Sequence, residues 1–212
     1  MYKKFFKRFL DIIVSLIALP FVLLAVVILA PFIWLEDKGP VFYNATRRGK
    51  NGRTFKMFKL RSMYVNSPNL KNADGSTFNS AKDPRVTKIG RIMRKTSLDE
   101  LPQILNVLLG HMSFIGPRPT LAVTPYEELP VISKKRLGVR PGITGYAQAY
   151  YRNSITQQEK FQHDCYYVEH VSFVLDMKIL LQTVKSVLKR ENIYVSQDQK
   201  PAEDARETAS TK

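Results

Sequence analysis

One uncharged apolar stretch, at residues 12–35, limits what this chain can fold into more than any other feature. As a helix, this stretch would extend about 36 Å, which exceeds the roughly 30 Å thickness of the hydrocarbon core of a bilayer. A secretory signal peptide is excluded, because the stretch is too long and no small-residue cleavage site follows it. The sequence therefore predicts a membrane helix in this part of the chain.

Pro20 and the charges beside the stretch bear on how this helix sits in the membrane. A proline inside a helix removes one backbone hydrogen bond and favours a kink or a break. Both flanks are basic, whereas a single span carries its excess of Lys and Arg on one side. We therefore favour a re-entrant helix–break–helix over residues 1–38, broken at Pro20, and keep a straight span as the alternative. The flanking cations are Lys3, Lys4, Lys7, Arg8, Lys38, Arg47, Arg48, Lys50 and Arg53.

The remaining sequence predicts a mixed α/β body, mostly helical, over residues 39–194, followed by a disordered polar tail at 195–212. Alternating residues at 40–43 and 54–63 predict a small β-hairpin, with glycines in the turn between them. Helical patterns follow at 86–94 and 97–109.

Residues 172–190 predict an amphipathic helix of a particular kind. Its apolar residues step by four and three positions, so they form one stripe, and lysines form a second stripe beside it. We favour a helix lying in the membrane interface, and a core helix bordered by lysine stems is the alternative. The apolar stripe is Phe173, Met177, Leu180, Val184 and Val187, and the lysines are Lys178, Lys185 and Lys189.

The chain is strongly basic, with 33 Lys and Arg against 18 Asp and Glu and a formal net charge of +15. Cations concentrate at residues 47–61 and 82–95. Such patches attract phosphate groups, whether of nucleic acid, of anionic lipid or of a pyrophosphate-bearing substrate. Charge alone leaves these three partners open. The single cysteine, Cys165, excludes an intrachain disulfide bond.

Two adjacent carboxylates, Asp99 and Glu100, stand at the start of the second predicted helix. Ser97 and Glu100 match a helix-capping box, so a purely structural role is one interpretation. The other is chemical: a carboxylate can act as a phosphoryl-accepting nucleophile while its neighbour holds Mg²⁺. No Walker A loop, dinucleotide-binding glycine motif or zinc signature occurs in the sequence.

Eight stretches, in order and spacing, closely resemble the bacterial sugar transferases known as small monotopic phosphoglycosyl transferases. The resemblance covers about residues 1–190. The stretches are FKRFLD at 6–11, GPVF at 39–42, FKMFKLRSM at 55–63, SLDELPQ at 97–103, NVLLG at 106–110, MSFIGPRP at 112–119, RPGITG at 140–145 and SFVLD at 172–176.

The resemblance implies an enzyme that transfers a sugar-1-phosphate from a UDP-sugar to undecaprenyl phosphate, releasing UMP. It implies a re-entrant membrane helix, a site on the cytoplasmic face of the bacterial inner membrane, and the first membrane step of glycoconjugate assembly. The glycoconjugate would be capsule, exopolysaccharide, O-antigen or glycoprotein. Membrane lipids, downstream glycosyltransferases and a second copy of the chain are its expected partners, and nucleic acid is not.

The resemblance also assigns roles to residues. Asp99 matches the family's nucleophile and Glu100 its acidic partner, the two being associated with Mg²⁺. Arg118 is the preferred phosphate ligand, because Pro117 and Pro119 stiffen its backbone. Weaker candidates for binding substrate or phosphate are Lys59, Arg61, Arg94, Arg140, Arg152 and Asn153. Two rival functions are a catalytically inactive membrane-bound scaffold and a basic binding protein.

Overall fold

The computed structural model describes residues 2–68, 70, 78, 80 and 82–189. The fold is mixed α/β, mostly helical, with two small sheets and one long apolar helix, as the sequence predicts. The predicted tail at 195–212 lies outside the described residues, and the domain limits at 38 and 194 stay predictions.

The apolar stretch lies in α1, a helix of 31 residues at Lys7–Asp37 that follows a π-helical turn at Tyr2–Phe6. The helix is long and apolar enough to cross a membrane. The predicted break at Pro20 is absent from the secondary structure, because α1 runs past this residue without interruption. Proline removes one backbone donor and its ring crowds the carbonyl four residues earlier, which bends a helix without necessarily ending it, so a kink at Pro20 stays a prediction.

Both ends of α1 dock on the same body. Near its start, the Lys7 ammonium lies 2.6 Å from Asp176, and the Arg8 guanidinium donates to the Val107 and Leu108 carbonyls. Near its end, Asp37 pairs with Arg61, which is buried. The apolar surface between these two contacts is largely exposed.

Two small sheets support the loops of the body. The strands β1 (Ala45–Arg48), β2 (Thr54–Met57) and β4 (Thr120–Leu121) form an antiparallel sheet in the order β2-β1-β4. The strands β3 (Ser113–Ile115) and β5 (Gly142–Thr144) form a parallel pair. The small β-hairpin predicted from the sequence is therefore confirmed, as β1 and β2.

The first strand of this hairpin lies later in the chain than predicted. Residues 40–43 form no strand and contribute one isolated bridge, between Phe42 and Leu60. The tight turn explains the shift, because the Gly49 amide donates to the Arg53 carbonyl at 2.7 Å and thereby pairs the residues directly before it. The strand that results, Ala-Thr-Arg-Arg, has little of the apolar alternation from which strands are predicted.

The helices of the body surround these sheets. Thr87 caps α2 through its side chain, and a capping box of Thr156 and Glu159 starts α6. The helices are α2 (Lys88–Thr96), α3 (Gln103–Leu108), α4 (Val131–Arg136), α5 (Tyr146–Tyr150), α6 (Gln157–Glu169) and α7 (Phe173–Lys189).

The segment predicted as one helix at 97–109 is split. It consists of a 3₁₀ turn at Leu98–Glu100, then Pro102, then α3. Pro102 lies just before α3, where its missing amide donor costs nothing, because the first amides of a helix have no partner within the helix. Gly110, with φ of 80°, follows the end of α3, as predicted.

The helix α7 buries two polar residues and one apolar residue, whereas most of the predicted apolar stripe faces outward. Asp176, Ile179 and Ser186 are buried, whereas Phe173 and Val184 of the predicted stripe are each about half exposed. The alternative of a core helix with this stripe inside is therefore wrong. An outward apolar face with lysines beside it is the arrangement expected of an interfacial helix.

Candidate active site

The two carboxylates predicted to carry chemistry lie in the 3₁₀ turn between α2 and α3. Ser97 ends α2 in the left-handed conformation, with φ of 59°, and its side chain caps neither helix. The residue that precedes α3 is Pro102, so Asp99 does not cap α3 either. The capping-box interpretation of Ser97 and Glu100 is therefore wrong, and both carboxylates are available for other partners.

Those partners are cations from two other parts of the chain. Lys59, which follows β2, places its ammonium 2.8 Å from Asp99 Oδ2 and 3.4 Å from Glu100 Oε1. Arg118, in the loop between β3 and β4, donates from Nη2 to Glu100 Oε1 at 2.8 Å. The Leu60 amide donates to the Asp99 carbonyl, which fixes the turn against the strand segment. The structure thus brings Asp99, Glu100, Lys59 and Arg118 into one cluster, hereafter the dyad cluster.

The residues of the dyad cluster differ in their exposure to solvent. Asp99 is buried, whereas about half of the Arg118 side chain is exposed. Arg118 is held through its backbone as well, since Arg136 Nη2 donates to the Arg118 carbonyl at 2.7 Å. A guanidinium that is fixed at its base and open at its tip is suited to bind a phosphate group arriving from solvent.

The charges of the cluster keep Glu100 ionised. Burial alone would raise the pKa of Glu100, but the charges of Arg118 and Lys59, and the hydrogen bonds that both donate, hold it at about 2. The same carboxylate raises the pKa of Arg118. Glu100 is therefore an anion at any physiological pH, as a metal ligand or a partner of cationic groups must be.

A third cation, Arg47, approaches the cluster and was not among the predicted site residues. It lies in β1 opposite Phe55, and its Nε is buried without a hydrogen-bond partner in the described part of the chain. Burial lowers the pKa of Arg47, as does the charge of Arg118, while Glu100 opposes the shift. Sequence reasoning missed Arg47 because it placed the first strand of the hairpin at 40–43. Only with the strand at 45–48 does Arg47 lie opposite Phe55 and near the cluster.

The other predicted cations have different surroundings. Arg61 binds Asp37 and the Pro40 carbonyl, so it fastens α1 to the body. Arg94 donates to Ser62, and Arg140 donates to the Gly110 carbonyl and lines a separate cleft. Arg152 and Asn153 lie in the turn between α5 and α6, where Lys160 donates to Asn153 Oδ1 at 3.5 Å.

Asp99 and Glu100 lie close enough together for one cation to contact both carboxylates. A single ammonium contacts both carboxylates, so one cation can touch Asp99 and Glu100 together. Mg²⁺ characteristically uses one or two carboxylates and completes its shell with water and substrate phosphates. Within the described residues, no group of three or more His, Cys, Asp or Glu side chains could hold a metal, so water and substrate oxygens would supply the further ligands.

Comparison with known proteins places these features in a family. The family model for "Bacterial sugar transferase" matches residues 2–190. The chain is 43% identical over 190 residues to a galactosyl transferase, CpsE, of Streptococcus agalactiae, covering 86% of this chain and 42% of the relative. It is 38% identical over 190 residues to the uncharacterized sugar transferase EpsL of Bacillus subtilis, covering 88% of this chain and 89% of the relative.

A third relative carries a more specific name. The chain is 38% identical over 195 residues to UDP-glucose:undecaprenyl-phosphate glucose-1-phosphate transferase of Xanthomonas campestris. The alignment covers 89% of this chain and 40% of that relative. The chain therefore spans less than half the length of this relative and of the streptococcal one, but nearly all of the length of the Bacillus one.

Proposed function

The chain belongs to the bacterial sugar transferase family, and we propose that it transfers a sugar-1-phosphate from a UDP-sugar to undecaprenyl phosphate. The products are undecaprenyl-diphospho-sugar and UMP. The observation that carries the proposal is the dyad cluster, in which two adjacent carboxylates free of any capping role meet two cations suited to phosphate. Names of relatives support the two substrates, since several are called undecaprenyl-phosphate sugar phosphotransferases.

The first half of the reaction uses Asp99 as nucleophile. An Asp99 oxygen attacks the phosphorus bonded to the sugar, the bond from that phosphorus to the bridging oxygen breaks, and UMP leaves with the electron pair. Arg118 binds the phosphate oxygens on which charge accumulates. Lys59 has a flexible stem, so its ammonium can leave Asp99 and follow the phosphate as the new bond forms.

The second half consumes the aspartyl phosphodiester. An oxygen of undecaprenyl phosphate attacks the same phosphorus, and the Asp99 carboxylate is regenerated as the leaving group. Splitting the transfer in this way means that a soluble donor and a lipid acceptor need not be bound at one time. Mg²⁺, held by Asp99 and Glu100, would supply neutralisation of the donor's diphosphate.

The membrane arrangement that we propose is monotopic, with both ends of α1 on the cytoplasmic side. What supports it is that Lys7 and Asp37, at opposite ends of the helix, each bind a residue of the same body. A helix that crossed the bilayer would place these two ends on opposite sides of it, where one body on one side could not bind both. The outward apolar face of α7 would then rest in the same leaflet.

Release of UMP is the direct test of the proposed function. Purified enzyme with Mg²⁺ and undecaprenyl phosphate is incubated with a panel of UDP-sugars, and UMP is measured. We expect release with one or a few donors and incorporation of that sugar into lipid. An inactive scaffold or a basic binding protein would release no UMP from any donor in the panel.

Cysteine labelling tests the membrane arrangement. Lys3→Cys and Arg53→Cys, each in a Cys165→Ser background, place one thiol on either side of α1. We expect an impermeant maleimide to label neither thiol in intact cells and both in lysed cells, because both ends face the cytoplasm. Labelling of only one of the two in intact cells would identify a helix that spans the membrane.

Arg118 offers a test of phosphate binding in the dyad cluster. We expect Arg118→Ala to lower turnover by about 100-fold or more, since such donors stabilise developing charge only in the transition state. The melting temperature and membrane association should stay near those of the parent, because the side chain is half exposed. Arg91→Ala, on the exposed surface of α2, is the matched control and should retain activity. Loss of membrane association in Arg118→Ala would assign the residue to lipid or to folding instead.

A further inference from the structure

A second cationic site lies away from the dyad cluster, in a cleft beside the start of α1. The cleft is small, with a cavity volume of about 40 Å³, which is room for a phosphate group and a few waters. Its lining includes five cations, from the N-terminal turn, α1, the β1–β2 turn and the loop before β5, and one carboxylate, Asp11. The five cations are Lys3, Lys7, Arg8, Lys50 and Arg140.

The charges of this cleft are only partly neutralised by the protein. Lys7 is paired with Asp176, and Asp11 accepts hydrogen bonds from the Ser113 hydroxyl and the Phe114 amide. Counting both of these carboxylates, five cations face two anions. An excess of this kind, partly removed from water, favours an anionic ligand.

Arg8 and Arg140 carry like charges, but backbone carbonyls at and just after the end of α3 hold both of them in this cleft. Arg8 donates to the Val107 and Leu108 carbonyls at the end of α3, and Arg140 donates from Nε to the Gly110 carbonyl at 2.9 Å. Burial lowers the pKa of Arg8, and the nearby charge of Arg140 lowers it further. Within the described residues, neither Arg140 nor Lys50 has a carboxylate partner.

The place of the cleft in the fold separates it from the dyad cluster and puts it beside apolar surface. The dyad precedes α3, whereas Arg8 and Arg140 bind carbonyls at the far end of this helix. None of the dyad residues lines the cleft. Phe5 and Phe9, each two positions along the chain from Lys7 of the cleft, are 71% and 54% exposed, and the exposed Phe173 of α7 packs on Tyr2.

We propose that this cleft is a binding site for the phosphodiester of an anionic membrane lipid, whose acyl chains lie along the exposed aromatic side chains. Arginine and lysine side chains bind phosphate oxygens through charge-assisted hydrogen bonds, and the apolar rim suits the chains of a lipid better than a soluble anion. Lipid bound here would hold the start of α1 against the end of α3. The site is distinct from the proposed donor site and does not depend on catalysis.

Calorimetric titration of the full chain in a neutral detergent tests the site. The probes are dihexanoyl phosphatidylglycerol, dihexanoyl phosphatidylcholine and inorganic phosphate, and the Asp99→Asn enzyme is used throughout. We expect saturable binding of one phosphatidylglycerol per chain, with weaker binding of the other two probes. Inorganic phosphate binding as tightly as phosphatidylglycerol would overturn the assignment to lipid, and the absence of saturable binding would overturn the site.

Charge-matched variants separate a site from diffuse attraction. We expect Lys50→Gln/Arg140→Gln to weaken phosphatidylglycerol binding by about tenfold or more, the equivalent of one charge-assisted hydrogen bond. Lys88→Gln/Arg91→Gln removes the same charge from the exposed surface of α2 and should change the affinity by less than about twofold. Equal losses in the two variants would show diffuse attraction and overturn the proposal. Lys50→Gln alone, at an exposed position, repeats the test if the double variant is unstable.

Discussion

Replacing Asp99 by Asn should abolish turnover and leave the fold intact. An amide cannot serve as the phosphoryl-accepting nucleophile, so we expect activity to fall below detection, at least about 10⁴-fold. Asn keeps the shape of the side chain, and Lys59 retains Glu100 as a partner, so the melting temperature should remain close to that of the parent. UMP release and thermal unfolding, measured on the same preparation, check the two halves of this prediction.

Trapping of the intermediate gives the same prediction a positive readout. Parent enzyme with Mg²⁺ and its UDP-sugar, without acceptor lipid, should gain the mass of one phospho-sugar on Asp99 and release one equivalent of UMP. Asp99→Asn should gain none. An active Asp99→Asn enzyme, shown by mass spectrometry to be free of deamidation to Asp, would contradict the covalent mechanism. Asp99 caps no helix in the structure, so the loss of a helix cap could not explain a loss of activity in Asp99→Asn.

The second large effect is expected at the buried ion pair of Arg136 and Asp164. Arg136 donates to Asp164 Oδ2 from Nε at 3.0 Å and from Nη2 at 2.6 Å, and both side chains are almost fully buried. Asp164→Ala leaves the guanidinium buried without its carboxylate, which should lower the free energy of unfolding by about 3–5 kcal/mol. Chemical denaturation followed by circular dichroism measures this loss.

A double replacement distinguishes stability from positioning. Arg136→Met/Asp164→Leu removes both charges and should recover most of the lost stability, because an apolar pair of similar size avoids the cost of desolvation. It should not recover turnover, because Arg136 no longer holds the Arg118 carbonyl and a small displacement of Arg118 costs about 100-fold in rate. A double variant with full activity would show that Arg136 does not position Arg118.

The dyad cluster shows what a motif can and cannot predict. Asp99, Glu100 and Arg118 belong to recognisable stretches, and the structure brings them together with Lys59. Among the basic residues, however, sequence gave equal weight to Lys59, which touches both carboxylates, and Arg61, which binds Asp37 at the end of α1. The local sequence around a lysine or arginine does not show which carboxylate it will pair with, because that partner comes from a distant segment of the chain.

The position of the amphipathic helix α7 could be predicted from the sequence, but which of its faces is buried could not. Apolar spacing at 172–190 located α7 correctly, yet hydrophobicity alone left open which face would be inside. The buried face carries Asp176, which accepts hydrogen bonds from Tyr2, Lys7 and Tyr167. A fully satisfied carboxylate can occupy a protein interior, and this satisfaction depends on residues that are far away in the chain.

Docking of the start of α1 has a consequence for how the molecule is made. Tyr2 and Lys7 bind Asp176, which lies 174 and 169 positions after them in the chain. Arg8 binds the Val107 carbonyl, 99 positions after it. At about 5–20 residues per second, roughly 8–34 s of synthesis separate the emergence of Lys7 from that of Asp176. Throughout this interval the apolar surface of α1 meets either a membrane or another unfolded chain. We therefore expect capture of α1 by the membrane during translation to protect the chain from aggregation, with the body completing its fold around this helix afterwards.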